Sequence, residues 1–345
     1  MELNNTPVRT SKNFGINNIQ LDNIEIPEDI KEFTNVQIIG DNITINNNVK
    51  KLNLKYGLGK IFVDNINNNA NSKIHISANK IDENIKLIYT FDDNNRNLIN
   101  YIEIEAENKC NIIIEYKSKT NKPCFLNSAI KLVAKSEVNI TVINFLNNCS
   151  NGFWAIENEL KENANLNYTI IDLGAKNSIQ NYYSNIIGDN SNNTLRTIYL
   201  GAGSQVKDIN YIAELKGKKS NIDIDVQGAL KDEAKKNFKG TIDFKKGCKK
   251  AKGNENEYCM LLSPKSKSIA LPMLLCTEDD VEGNHSAASG KLDNKEIFYI
   301  MSRGISFKDA TKLLVKSRFN KILERIKDEE IKNEILEEID LRLDY

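Results

Sequence analysis

The stretch SNIDIDVQG, residues 220–228, alternates with period two: Ile222, Ile224 and Val226 fall on one side, Asp223 and Asp225 on the other. Successive side chains of a β-strand point to opposite faces, so this pattern predicts a strand with one apolar face. GTIDFKKG, residues 240–247, repeats it with Ile242 and Phe244. Working outward, further short runs follow at NVQIIG (35–40), KIHIS (73–77), YIEIEAE (101–107), NIIIEY (111–116), EVNITVI (137–143), NLNYTII (165–171) and TLRTIYLG (194–201). Asn, Gly, Lys and Asp separate the runs, and no comparably long helical period is legible between residues 35 and 275. Many short strands joined by brief polar turns fit a sandwich, a barrel or a solenoid. Their number favours a solenoid, in which each rung continues the core of the one before.

The chain has 345 residues, 40% of them hydrophobic, which supplies a sizeable core. Lys plus Arg equals Asp plus Glu at 47 each, so no global basic field exists to hold a phosphate backbone, and nucleic acid is not an expected partner. The opening MELNNTPVRTSKNFGINN has no uninterrupted apolar core of a signal peptide, and no stretch approaches the roughly 20 apolar residues of a membrane span. The expectation is a soluble, cytoplasmic protein with no membrane partner. Six cysteines, Cys110, Cys124, Cys149, Cys248, Cys259 and Cys276, are scattered without a C-x-x-C pair and read as free thiols.

Near residue 290 the character changes. DNKEIFYIMSRG (293–304) offers Asp293 as N-cap, Glu296 at N3, Ile297, Ile300 and Met301 on one face, and Gly304 as a stop. SFKDATKLLVKSRFNKILERI (306–326) starts at Ser306 and carries Ala310, Leu313, Leu314, Phe319, Ile322, Leu323 and Ile326 at helical spacing. A last segment repeats the pattern with Ile331, Ile335 and Ile339. The expected organisation is an extended N-terminal segment (1–34), a β core (35–290) and a C-terminal helical domain (291–345). The helices either cap the solenoid or present an apolar stripe to a partner.

CTEDDVEGNH, residues 276–285, brings a thiol, an imidazole and four carboxylates into ten residues. Thiolate with imidazole and carboxylate suits iron or zinc. Gly283–Asn284 could turn the chain to bring His285 back towards Cys276 or Glu282, or the stretch is only an acidic turn after the strand MLLC. Cys259 in NEYCMLLS reads as a small core residue, and Cys248 in KKGCKK as either a lysine-stabilised sulfur acceptor or an exposed turn cysteine. His75 lies on a polar face and reads as exposed. GNHSAASGKL (283–292) misses the P-loop spacing and ends in Leu292 where Ser or Thr would hold magnesium, so no nucleotide is expected on this chain. No G-x-S-x-G element is present, and a hydrolytic triad is unsupported.

Read as one string, CMLLSPKSKSIALPMLLCTEDDVEGNHSAASGKLDNKEIFYIMSRGISFKDATKLLVKSRFNKIL resembles the C-terminal core of the SufB/SufD family of iron–sulfur cluster assembly proteins. LLSPKSK, EDDVEGNHSAASGKLD with His285, FYIMSRGIS and the helix after it carry the likeness over about 60 to 70 residues. The resemblance implies a right-handed parallel β-helix with a C-terminal helical domain that docks on the ABC-type ATPase SufC. It further implies a scaffold, not an enzyme, that holds a transient iron–sulfur cluster and takes sulfur from a cysteine desulfurase system. His285 matches the family's functional histidine. Ser286 stands where SufB members typically carry Glu, so a carboxylate ligand would come from Glu282 or the Glu278–Asp280 run. The SufB-type cysteine falls nearest Cys259, and Cys276 is the better-placed thiolate by local sequence.

These readings combine into an expected metal set of Cys276, His285, Glu282, Asp280 and Cys259, and an expected partner-binding set of Leu313, Leu314, Phe319, Ile322 and Leu323. The protomer is expected to pair through the end of its β-helix, with itself or in a SufB–SufD-type heterodimer. The competing readings are a β-solenoid carbohydrate-active enzyme working through exposed carboxylates, and a purely structural solenoid.

Overall fold

The computed structural model describes residues 1–10, 15–22, 24–27, 30–45 and 51–344. Two nine-stranded sheets face each other, and from the strand Ser72–Ala78 onward the chain passes alternately from one to the other. Sixteen strands, ending at Val281–Lys291, make eight turns of a parallel β-solenoid. At the N-terminal edge, Val36–Ile39 and Ile43–Ile45 add antiparallel strands instead. Adjacent turns are in register, so like positions stack and the inner faces build one continuous core. The residues that announced the strands, Ile222, Ile224, Val226, Ile242 and Phe244, lie in that core with at most 1% exposure. Within it, Tyr168, Tyr182, Tyr211 and Phe238 meet edge to face in a row, ring centroids 5.1–5.9 Å apart.

At one corner, left-handed backbone recurs from turn to turn. Asn163, Asn190, Lys219 and Lys250 recur there with φ of 58°, 55°, 54° and 60°. Asparagine tolerates this left-handed conformation better than most residues. A rung-to-rung bond holds the backbone at all four: Asn163 N–H donates to the Asp189 carbonyl at 3.0 Å, Asn190 to Lys218 at 2.9 Å, Lys219 to Lys249 at 2.9 Å and Lys250 to Asp280 at 2.5 Å.

A helix interrupts the β region where none was expected. α1 (Lys60–Asn69) buries Phe62, Asn65 and Ile66. Phe62 packs on Phe153 of the outer sheet face at 4.5 Å, and Asn127 donates to the Phe62 carbonyl and the Asn65 amide oxygen. Five of its ten residues are Asn or Asp, which have low helix propensity, so the segment reads as polar loop even though Phe62 and Ile66 fall at helical spacing. Tertiary contact supplies what propensity lacks. On the same sheet, Asn4 of the N-terminal segment donates to Asp208 at 2.6 Å and to the Gln180 carbonyl at 2.8 Å, above the buried Lys239–Asp208 pair at 2.7 Å.

Three C-terminal helices follow: α2 (Asn294–Met301), α3 (Phe307–Leu323) and α4 (Glu329–Asp344). Asp293 caps α2 through the Lys295 N–H, and Ser306 caps α3 through the Asp309 N–H, as the sequence predicts. α3 and α4 lie on the outer face of the other sheet. Phe319, Ile322, Leu323, Ile335 and Ile339 join Ile143, Ile171, Ile198, Ala229 and Met260 in a second apolar cluster. Lys86 pairs with Asp328, and Lys117 with Glu334 at 3.3 Å, along its edge.

This packing corrects the partner-binding set. Phe319, Ile322 and Leu323 are fully buried against the chain's own β body, so their stripe has no surface to offer. Leu314 is half-buried and Leu313 is exposed. No helix of the described residues is long and apolar enough to cross a membrane.

Candidate functional site: the open end of the solenoid

The last turn consists of the strands Lys267–Cys276 and Val281–Lys291, each paired on one side only. The stretch 276–285 is therefore not a loop. Cys276 closes one strand, residues 277–280 form the corner, and Val281 opens the next. Gly283 and Asn284 run through the middle of a straight ladder, opposite Gly253 and Asn254, and make no turn. Their residue types suggested a turn, but the in-register pairing with Ala251–Leu261 holds the chain extended.

Register then decides which way each side chain points. A side chain at Gly283 would meet Phe244 and Leu274 of the core, so Gly283 faces inward. By period two, His285, Ala287 and Ser289 face inward as well. On the other strand, Cys276 stacks on the core residue Phe244 and belongs to the inner face too. Both residues are exposed only because no further turn covers them. They are not neighbours: His285 lies four strand positions beyond Val281, which places it roughly 13 Å along the strand from the corner where Cys276 sits.

The other expected ligands go elsewhere. Glu282 falls on the outer face, three positions from His285, and pairs with Lys252 at 3.0 Å. Asp280 sits in the corner, its carbonyl bound by Lys250. The Glu278 carboxylate accepts the Gly247 N–H at 2.8 Å, which holds its pKa below the usual range, and its carbonyl accepts the Cys276 thiol at 2.9 Å. Cys259 is buried in the core, in register with Ser289, and burial pushes its thiol pKa up. Cys248 is also fully buried, which corrects the reading of KKGCKK as an exposed thiol. Its pKa is raised to about 11, by burial first and then by the Glu278 carboxylate, with the nearby Cys276 thiol adding to the rise. His75 is partly covered, its Nε2 3.0 Å from the Ser77 hydroxyl and its Nδ1 3.5 Å from Glu103. Among the described residues, no three His, Cys, Asp or Glu side chains converge on a point that could hold a metal.

Beneath the open turn the core becomes polar, in residues the sequence reading passed over. Lys236 and Glu257 form a sealed ion pair at 2.7 Å, and the Tyr199 hydroxyl donates to Glu257 at 3.0 Å. Beside them, Glu255 is 1% exposed and neither of its carboxylate oxygens has a hydrogen-bond partner among the described residues. Burial, with Glu257 second, pushes its pKa up to about 8. Space for it exists because residue 240 on the facing strand is glycine: a Cβ there would collide with the Glu255 carboxylate. The signal lay in GNENEYC, residues 253–259, whose odd positions are Gly, Glu, Glu and Cys where the preceding strand of the sheet has Ile222, Ile224, Val226 and Gly228. Acids on the core phase of a strand are the anomaly to look for.

A second feature lies on the helices. Phe298, Tyr299, Phe307 and Leu313 are all at least 49% exposed, and Met301 and Ile305 are partly so. These residues lie on α2, its C-terminal turn and the first turns of α3, apolar side chains left outside the packed core, with Arg303 over the Tyr299 ring at 5.2 Å.

Comparison with known proteins adds a separate line of observation. The family described as "SUF system FeS cluster assembly, SufBD core domain" matches residues 91–318. The iron–sulfur cluster assembly protein SufD of Bacillus subtilis is 23% identical over 80% of this chain and 64% of its own length. An iron–sulfur cluster assembly SufBD family protein of Pyrococcus horikoshii is 33% identical over 48% of this chain and 36% of its own. SufD of Escherichia coli is 29% identical over 33% of this chain and 27% of its own. The chain thus spans less than two thirds of the length of these relatives.

Proposed function

The chain belongs to the SufBD family of iron–sulfur cluster assembly proteins, and from that premise we propose that it is a scaffold subunit whose open solenoid end receives a nascent cluster. The observation that carries this reading is the uncovered last turn, which presents Cys276 and His285 on a core-phase face that has no core above it. A thiolate and an imidazole are suited to iron and sulfide, and mixed ligands release a cluster more readily than four thiolates do. Because the two side chains stand apart within one protomer, the cluster is completed by a second surface. That surface is a second copy of this chain or a SufB- or SufD-type partner, paired through the exposed edges of the last turn.

The remaining roles follow the same reading. The apolar patch of Phe298, Tyr299, Phe307 and Leu313 docks a SufC-type ABC ATPase, which hydrolyses ATP on behalf of a chain that binds no nucleotide itself. Sulfur comes from a cysteine desulfurase system in the cytoplasm. The protein acts as a scaffold and not as a catalyst.

The test is co-purification with the cognate ATPase, then anaerobic reconstitution with iron and sulfide followed by absorbance and EPR. Cys276→Ser and His285→Ala should lose the cluster while keeping the complex. The double variant Phe298→Ala, Phe307→Ala should lose the complex while keeping its fold. A cluster that survives both site variants moves the site away from the open end.

A further inference from the structure

We propose that Glu255 and His285 together form a reception site for iron(II) inside the last two turns of the solenoid, the carboxylate reaching from the core and the imidazole from the open rung. The inference rests on the reading of His285 as a metal-facing residue and adds to it a ligand that no sequence motif marks.

Among the described residues Glu255 is a buried acid with neither a hydrogen bond nor an ion pair, whereas Glu115, whose oxygens also lack hydrogen bonds, has Lys117 at 2.8 Å. A buried carboxylate without a partner is destabilising, whether it stays charged or takes up a proton. The same stretch of core serves its neighbour at one oxygen: Glu257 Oε1 has Lys236 at 2.7 Å and Tyr199 at 3.0 Å, while its Oε2 has no hydrogen-bond partner among the described residues. Glu255, two residues earlier on the same face, has both oxygens open. Gly240 leaves room for the group and no side chain to bond it. A buried carboxylate of this kind is a donor that a bound cation would satisfy.

The geometry says where that ligand would sit. Glu255 pairs with His285 in the ladder between the last two strands of its sheet. The two Cα atoms therefore stack one rung apart, about 4.8 Å, with both side chains on the inner face. Above His285 there is no further turn, so the imidazole is exposed while Glu255, one rung beneath it, is 1% exposed. Carboxylate with imidazole is a donor pair for iron(II) and similar divalent ions. Two protein donors leave positions for water, sulfide or a partner's residue, which suits a metal that is to be passed on. The nearest exposed thiol, Cys276, lies at the corner roughly 13 Å away. Iron would thus be met first by oxygen and nitrogen, and sulfur at a separate point of the same rung.

The experiment is anaerobic titration of the full chain with iron(II) alone, without sulfide or ATPase, read by calorimetry and by the rise in Tm that binding to the folded state produces. Mn(II) EPR provides an independent count of bound metal. Wild type and the outward-facing control Glu282→Gln should bind one ion per chain. Glu255→Gln, which keeps size and fold, and Glu255→Asp, which shortens the carboxylate, should each weaken binding at least about 10-fold and reduce the Tm rise accordingly. Wild-type affinity in Glu255→Gln, or no binding by the wild type, overturns the proposal. If His285→Ala weakens binding and Glu255→Gln does not, Glu255 is removed and the His285 reading stands. If neither does, the open-end metal site falls with it.

Discussion

Glu255 and His285 hold the same position on successive turns of one sheet, one sealed in the core with an unpartnered carboxylate, the other at the uncovered end. In a solenoid, burial is decided by whether another rung follows. The final turn therefore exposes core-phase residues that any earlier turn would hide.

The Glu255 carboxyl makes stability fall as pH rises. Its folded pKa, about 8, lies above the unfolded value near 4.5, so the folded state holds its proton more tightly. Its contribution is whole below pH 4.5 and is lost as pH climbs to 8, by on the order of a few kcal/mol. Glu255→Gln, which cannot ionise, should match the wild type near pH 5 and exceed it in Tm near pH 8.5. Thermal unfolding of both proteins across that range checks this; a gap that does not widen with pH contradicts it.

The buried Lys236–Glu257 pair should show the asymmetry of internal ion pairs. Lys236→Met alone strands the Glu257 charge and should cost about 3–5 kcal/mol. Lys236→Met with Glu257→Leu removes both charges and should recover most of that loss. Urea unfolding of the two singles and the double gives the coupling directly.

Thiol reactivity should follow exposure. Cys276 is exposed and Cys149 half-covered, while Cys110, Cys124, Cys248 and Cys259 are buried with thiol pKa values pushed up. Mass spectrometry after brief alkylation of the native protein should find label on Cys276 first, then Cys149, and on the other four only after denaturation. Early labelling of Cys248 would mean that its corner opens in solution.

The helical appendage should separate into a packing face and a free face. Phe319→Ala empties a fully buried site between α3 and the sheet and should cost about 3–5 kcal/mol. Phe298→Ala removes a ring that is 74% exposed and should leave stability within about 0.5 kcal/mol of wild type. Chemical denaturation of the two variants distinguishes the faces without reference to any partner.

The sequence by itself determined the strands, the caps at Asp293 and Ser306, the solenoid class and the family. Each rests on local information: period two at Ile222–Val226, a side chain bonding a backbone N–H three positions or fewer away, and a contiguous run of family residues from Cys259 to Leu323. Tertiary structure decided the rest. That Gly283–Asn284 is straight, that Glu282 faces away from His285, and that Phe319 is spent on packing all depend on what lies beside them in space. α1 escaped notice because contacts with Phe153 and Asn127, far along the chain, fix a segment of weak propensity. Glu255 and His285, thirty positions apart, become neighbours only through the length of one turn, and that length is set by how rungs stack on one another.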